Sequence, residues 1–160
     1  MVDYNLTHGE RIANLGKIGE TIVSNWLNRT GHSVELSLDK YDYQKDMIVD
    51  GNRVVEVKTE QPYVRFNCVS FRSDQLRKCT SVDDLYVVTS VALVNENYKH
   101  NGKIFRIDPK NFTSFKYRTK FGIDMIGIPF NQPSVKEVYV LTDKEKNELM
   151  KYSKSEYGRV

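Results

Sequence analysis

The sequence predicts an α/β fold in which a central mixed β-sheet is flanked by helices. Three observations carry that expectation. Apolar residues recur at helical spacing across residues 9–29, at Ile12, Leu15, Ile18, Ile22, Val23 and Trp26. Beyond Gly31 the period changes to the alternation of strands, with a continuous apolar run, "LYVVTSVAL", at 85–93. Thr142, with Glu145 three residues on, then forms a capping box that opens a last helix.

In chain order, the first helix ends at Gly31, which supplies a C-terminal stop. Gly16 and Gly19 lie on or beside its apolar stripe and allow close approach to a sheet, while Lys17 and Glu20 share the flank of the stripe. Residues 32–38, "HSVELSL", read as a strand, followed by a charged turn at 39–43. The stretch "QKDMIVDGNRVVEVKTEQ" is a hairpin around Asp50-Gly51-Asn52. "NCVSFR" reads as a strand, residues 73–79 as a short helix begun by a Ser-Asp cap, and 85–93 as a buried strand. "KIFRI", "SFKYRTKF", "MIGIPF" and "KEVYVL" are shorter strand-like pieces, and the polar C-terminal stretch is expected to fray.

No repeat, Pro-rich linker or low-complexity block divides the 160 residues, so a single domain is expected over 1–160. Net charge is +3, from 24 basic and 21 acidic side chains, which permits a polyanionic partner without demanding one. Cys68 and Cys79 match neither a disulfide framework nor a zinc pattern and read as reduced thiols of a cytoplasmic protein. The N-terminal stretch has no signal-peptide character, and no run approaches the roughly 18 apolar residues of a membrane span. His8, His32 and His100 lack partner spacing and are expected to face solvent. No nucleophile elbow or phosphate-cradling glycine loop is present.

The hairpin carries the chemistry. Glu56 and Lys58 share one face of a strand, and Val55 and Val57 the other. A three-residue loop pairs Val49 with Arg53 and hence Asp46 with Glu56, whereas a two-residue loop sends those carboxylates to opposite faces. Under the first register the two carboxylates stand about 4.5–5.5 Å apart at Cβ and repel. Either the hairpin is an exposed edge bearing ordinary surface charges, or a divalent metal such as Mg²⁺ converts repulsion into ligation. Under the metal reading, Glu56→Gln and Asp46→Asn are expected to leave the metal-free protein as stable as before, or more so.

The ordered set Glu20, Asp46 and Glu56-Val57-Lys58, with Gln75 on the following helix, resembles the PD-(D/E)XK, or restriction-endonuclease-like, nucleases. The resemblance covers residues 16–90; Lys45 stands where the family name has proline, and 91–160 carry additional strands and the C-terminal helix. It implies a restriction-endonuclease-like core and a metal-dependent endodeoxyribonuclease using Mg²⁺, with Mn²⁺ able to substitute. Asp46, Glu56, the carbonyl of Val57 and Glu20 would serve the metal, Lys58 the attacking water, and Gln75 the positioning of the chain or phosphate. The small size resembles Holliday-junction resolvases and phage or mobile-element endonucleases, with a homodimer expected by analogy. The alternatives are a non-catalytic nucleic-acid-binding or assembly protein that keeps the fold, and a nuclease acting on RNA.

A DNA-binding surface is expected from "SFKYRTKF", which alternates Lys116, Arg118 and Lys120 with Phe115, Tyr117 and Phe121. Lys17, Arg65, Arg72, Arg77 and Lys78 would extend it. Tyr41, Tyr43 and Tyr63 lie near the expected site and could stack on bases, although the spread of the ten tyrosines points mainly to structural use.

Overall fold

The computed structural model describes residues 8–36, 47–91 and 97–152. Helix α1 (His8–Arg29) is followed by strands β1 (Val34–Leu36), β2 (Met47–Val49), β3 (Arg53–Glu60) and β4 (Cys68–Arg72). A short helix α2 (Leu76–Thr80) leads to β5 (Asp84–Thr89) and β6 (Lys103–Ile107). The chain continues through β7 (Phe115–Arg118), β8 (Asp124–Pro129) and β9 (Val135–Val140) to helix α3 (Asp143–Met150). The fold is α/β with a mixed central sheet flanked by helices. Its strand order is β1-β2-β3-β5-β6-β9, with β3 and β5 parallel and the other neighbours antiparallel. No helix among the described residues is long and apolar enough to cross a membrane.

Strand alternation divides the core into two. Val55 and Val57 of β3 and Tyr86 and Val88 of β5 pack under Leu15, Ile22, Val23 and Leu27 of α1 and Leu149 of α3. On the opposite face, Leu85, Val87, Phe105 and Ile107 meet Val69, Phe71, Ile126 and Ile128. Those last four belong to a second antiparallel sheet, ordered β4-β8-β7. The shorter strands therefore do not all extend the central sheet: β4, β7 and β8 form a separate layer, which with α2 covers the face that α1 leaves.

The local signals behave as their chemistry requires. Gly31, at φ 95°, sits in the left-handed conformation; its amide bonds the carbonyl of Asn28 at 3.2 Å, and His32 bonds Leu27 at 3.0 Å. That pair of bonds closes α1 as a Schellman motif. Gly19 permits the closest approach of α1 to the sheet, since a β-carbon there would fall 1.7 Å from Thr59 Oγ1. Gly16 has no neighbour within 4 Å of the equivalent point, so the expected close approach belongs to Gly19 alone. Ile12 is similarly outside the packed stripe, being 48% exposed. The capping box of α3 forms as expected, the Thr142 hydroxyl accepting from the Glu145 amide at 3.2 Å and Glu145 from the Thr142 amide at 2.9 Å. The Ser-Asp cap does not form: residues 73–75 make a 3-10 turn whose N-cap is Arg72, with no side-chain cap bond.

Candidate functional site

The site begins with the β2–β3 hairpin. Val49 pairs with Arg53, Ile48 with Val54 and Met47 with Val55, the register of the three-residue loop. Positive φ falls on Asp50 (54°) and Gly51 (79°) rather than on Asn52. Asp50 is held in that conformation by its carboxylate, which accepts from the Ser33 amide at 2.9 Å and meets His32 Nδ1 at 2.7 Å. The Ser33 amide first, and His32 second, hold the Asp50 carboxyl below its ordinary range. His32 is exposed, as expected, and is also partnered with Asp50. Asp46 precedes the last described pair and lies outside the described residues, as do Tyr41 and Tyr43.

β3 runs between β2 and β5 in the sheet, with α1 packed on one of its faces and α2 and the smaller sheet on the other. Glu56 and Lys58 point away from α1, toward α2 and the smaller sheet. The Glu56 side chain is 1% exposed, and its Oε2 lies 3.3 Å from Lys58 Nζ and 3.4 Å from Lys78 Nζ. Lys58 Nζ donates to Gln75 Oε1 at 2.8 Å. A carboxylate taken out of water needs such countercharge, because an uncompensated buried ion costs several kcal/mol. The structure thus gathers Glu56, Lys58, Gln75 and Lys78 at one place. Glu20 is half-buried on α1, next to Gly19, whose neighbour Thr59 occupies the pleat opposite Lys58. Among the described residues no group of three or more His, Cys, Asp or Glu side chains comes together as a ligand set.

Cys79 closes the floor. It is fully buried, and burial pushes its thiol up to about 12, against the opposing pull of Lys58. It serves as core rather than as a nucleophile. An open depression of about 410 Å³ lies beside α2, lined by Leu76, Thr80, Pro109, Lys110, Phe112 and Ser114, and includes none of the gathered residues.

The expected basic surface is redistributed. Lys78 is drawn inward to Glu56 rather than displayed to a phosphate. Arg72 pairs with Asp74 at 3.2 Å, and Arg118 with Asp124 at 2.8 Å. Lys17, Arg77, Lys116 and Lys120 are exposed. Phe115 and Tyr117 form the half-buried apolar side of the stripe. They cover the outer face of the smaller sheet, where Phe66 meets Phe115 edge-on at 5.8 Å and Tyr63 meets Tyr117 at 5.9 Å. Tyr63 stacks on Phe66 at 5.0 Å, and Arg65 lies over the Phe66 ring at 5.4 Å. His100, expected in solvent, instead stacks on Phe130 with ring centroids 4.0 Å apart; burial and then Lys99 and Lys103 lower its pKa.

Sequence reasoning assigned Lys78 to phosphate contact and missed its approach to Glu56. A signal was present: Gln75 and Lys78 are three residues apart, the spacing that places two side chains on one side of a helical turn. Comparison with family models, curated proteins and solved structures finds no match to the chain.

Proposed function

We propose that the protein is a metal-dependent endonuclease that hydrolyses DNA phosphodiester bonds. The observation that supports this reading is the placement of Lys58, whose ammonium group is held between a buried carboxylate, Glu56, and the amide oxygen of Gln75. The sequence resemblance had grouped those three residues; their contacts fit a site that fixes a cation beside an acidic group.

The donor chemistry suits a hard divalent ion. Glu56 offers a carboxylate and Val57 a backbone carbonyl on the same strand; Asp46 would join them for Mg²⁺ or Mn²⁺, and Glu20, which stands on α1 rather than on the face Glu56 points to, would contribute an outer or second-ion contact. Such an ion, when bound, supplies charge neutralisation and a more acidic water. The chain's own residues do the remaining work. Gln75 Oε1 accepts a hydrogen bond from Lys58 and Glu56 faces the same ammonium group, so the two orient it and leave its third N–H for a phosphate oxygen or the attacking water. Lys78 shares the charge of Glu56, and the exposed Lys17, Arg77, Lys116 and Lys120 would position the backbone. A homodimer would provide two such sites for cutting both strands. A cytoplasmic setting accords with two free, buried thiols.

One observation favours the second reading, a non-catalytic nucleic-acid-binding protein: Glu56 is already neutralised by two lysines. Supercoiled plasmid, linear duplex, single strand, four-way junction and RNA, each with Mg²⁺, Mn²⁺ or chelator, separate the readings when run beside Lys58→Ala. The nuclease requires metal-dependent cutting that falls at least about a hundredfold in the variant, the scale of a lost acid–base or electrostatic group. Salt-sensitive binding without cutting would establish the second reading instead.

A further inference from the structure

The hairpin joining β7 to β8 projects a large apolar side chain that the fold does not use. Phe121 is 79% exposed, and Ile123 on the same turn is 40% exposed. The turn is nonetheless well tied. The Thr119 amide bonds the Ile123 carbonyl at 2.9 Å, the Gly122 amide bonds the Thr119 carbonyl at 2.9 Å, and Thr119 Oγ1 accepts from the Ile123 amide at 3.2 Å. Arg118 and Asp124 pair across its base at 2.8 Å. Water is a poor place for a phenyl ring, and a turn with this many bonds does not require one at its tip.

The charges around the ring indicate what would cover it. Lys116, Arg118 and Lys120 fall within the hairpin, with Lys120 Nζ 5.2 Å from the Phe121 centroid. Asp124, the hairpin's one acid, is already committed to Arg118. A second copy of this surface would bring like charges together. Nucleic acid offers the complementary pattern, apolar base faces between lines of phosphate, and the turn at 119–123, which extends past the end of β4, is narrow enough to enter a duplex groove. We propose that Phe121 is a wedge that enters between base pairs of a duplex while Lys116 and Lys120 take the flanking phosphates. The inference rests on the nucleic-acid part of the reading above and requires no cleavage.

The test is Phe121→Trp, whose new indole is read by fluorescence in chelator against the wild type, in which Trp26 is the single tryptophan. Duplex DNA should quench the added emission in proportion to binding. Phe121→Ala should weaken duplex binding about tenfold or more, the scale of one lost ring–base stack. Its salt dependence should stay unchanged, whereas Lys120→Ala should lower the salt slope by about one. Circular dichroism matching the wild type would confirm that these exposed substitutions leave the fold intact. Quenching by single strand alone, a blue shift on anionic vesicles alone, an emission change with protein concentration alone, or wild-type duplex affinity in Phe121→Ala would each overturn the wedge. Quenching by duplex with no cutting in Mg²⁺ would keep the wedge and remove the nuclease; cutting with no quenching would do the reverse.

Discussion

Glu56→Gln tests the charge cluster on stability alone. At 3.3 and 3.4 Å from two ammonium groups, each contact has a gross Coulomb energy of about 5 kcal/mol at an effective dielectric near 20. Desolvation of the three ions offsets most of that sum. What decides the variant is what remains: two lysines facing each other across a neutral amide. Removing one member of a fully buried pair destabilises by about 3–5 kcal/mol. The Lys58 and Lys78 side chains are 17% and 21% exposed, so both can turn partly toward water, and a loss of about 2–3 kcal/mol is expected. For a chain of this size that lowers Tm by roughly 4–12 °C. The measurement is thermal and urea unfolding in chelator, with Glu56→Gln/Lys78→Met beside the single variant. Removing one stranded ammonium should restore part of the loss. A Glu56→Gln protein as stable as the wild type, or more so, would refute this account and return the dominant interaction to carboxylate repulsion with Asp46.

Two further predictions concern the frame around the site. Gly127→Ala would place a β-carbon 2.4 Å from Phe115 Cζ, so the ring must leave its place on β8, at a cost of about 1–3 kcal/mol; urea unfolding measures it, and Phe115→Leu should recover much of the loss. Asp84 is governed by opposing effects: burial alone would raise its pKa, but hydrogen bonds from Arg53 and Arg106, each at 2.8 Å, outweigh burial and lower it. A carboxyl depressed in the folded state contributes stability that is present above its unfolded pKa, about 3.9, and is lost as pH falls through the folded value. Asp84→Asn should therefore melt lower than the wild type at pH 7, with the gap closing below about pH 4; a gap constant with pH would assign the effect to packing.

What was legible in the sequence was local. The α1 stripe, its Gly31 terminus and the Thr142 capping box are each specified within a few residues, and each forms. The hairpin register was also legible, because Asp50-Gly51-Asn52 and the alternation on either side constrain it together. The partition of strands between two sheets was not. β4 pairs with β8 across more than fifty residues, Cys68 against Pro129 and Arg72 against Met125, and nothing in a five-residue apolar segment names its partner. In "SFKYRTKF" alternation revealed which face is apolar and which is basic, but not that Tyr63 and Phe66, from another part of the chain, cover the apolar one. Lys78 shows the limit most sharply, since its spacing from Gln75 was visible while its direction depended on how α2 sits over β3.

The two coverings of β3 explain why its charged cluster lies where it does. On the α1 side the strand is closed by aliphatic packing and by the close approach of Gly19 to Thr59. On the other side, α2 is only five residues long, and the side chains of Gln75, just before it, and of Lys78 reach Lys58 and Glu56. A carboxylate is tolerated at such a place because lysines reach it from two directions, one along its own strand and one from α2. Stability alone does not favour that solution: well-packed apolar residues in place of buried ions are often neutral or stabilising. An acid, an amide and two lysines converge where apolar side chains would serve the core, so the cluster calls for a role at that face beyond packing, and metal-dependent cutting decides between the nuclease and the binding-only proposals.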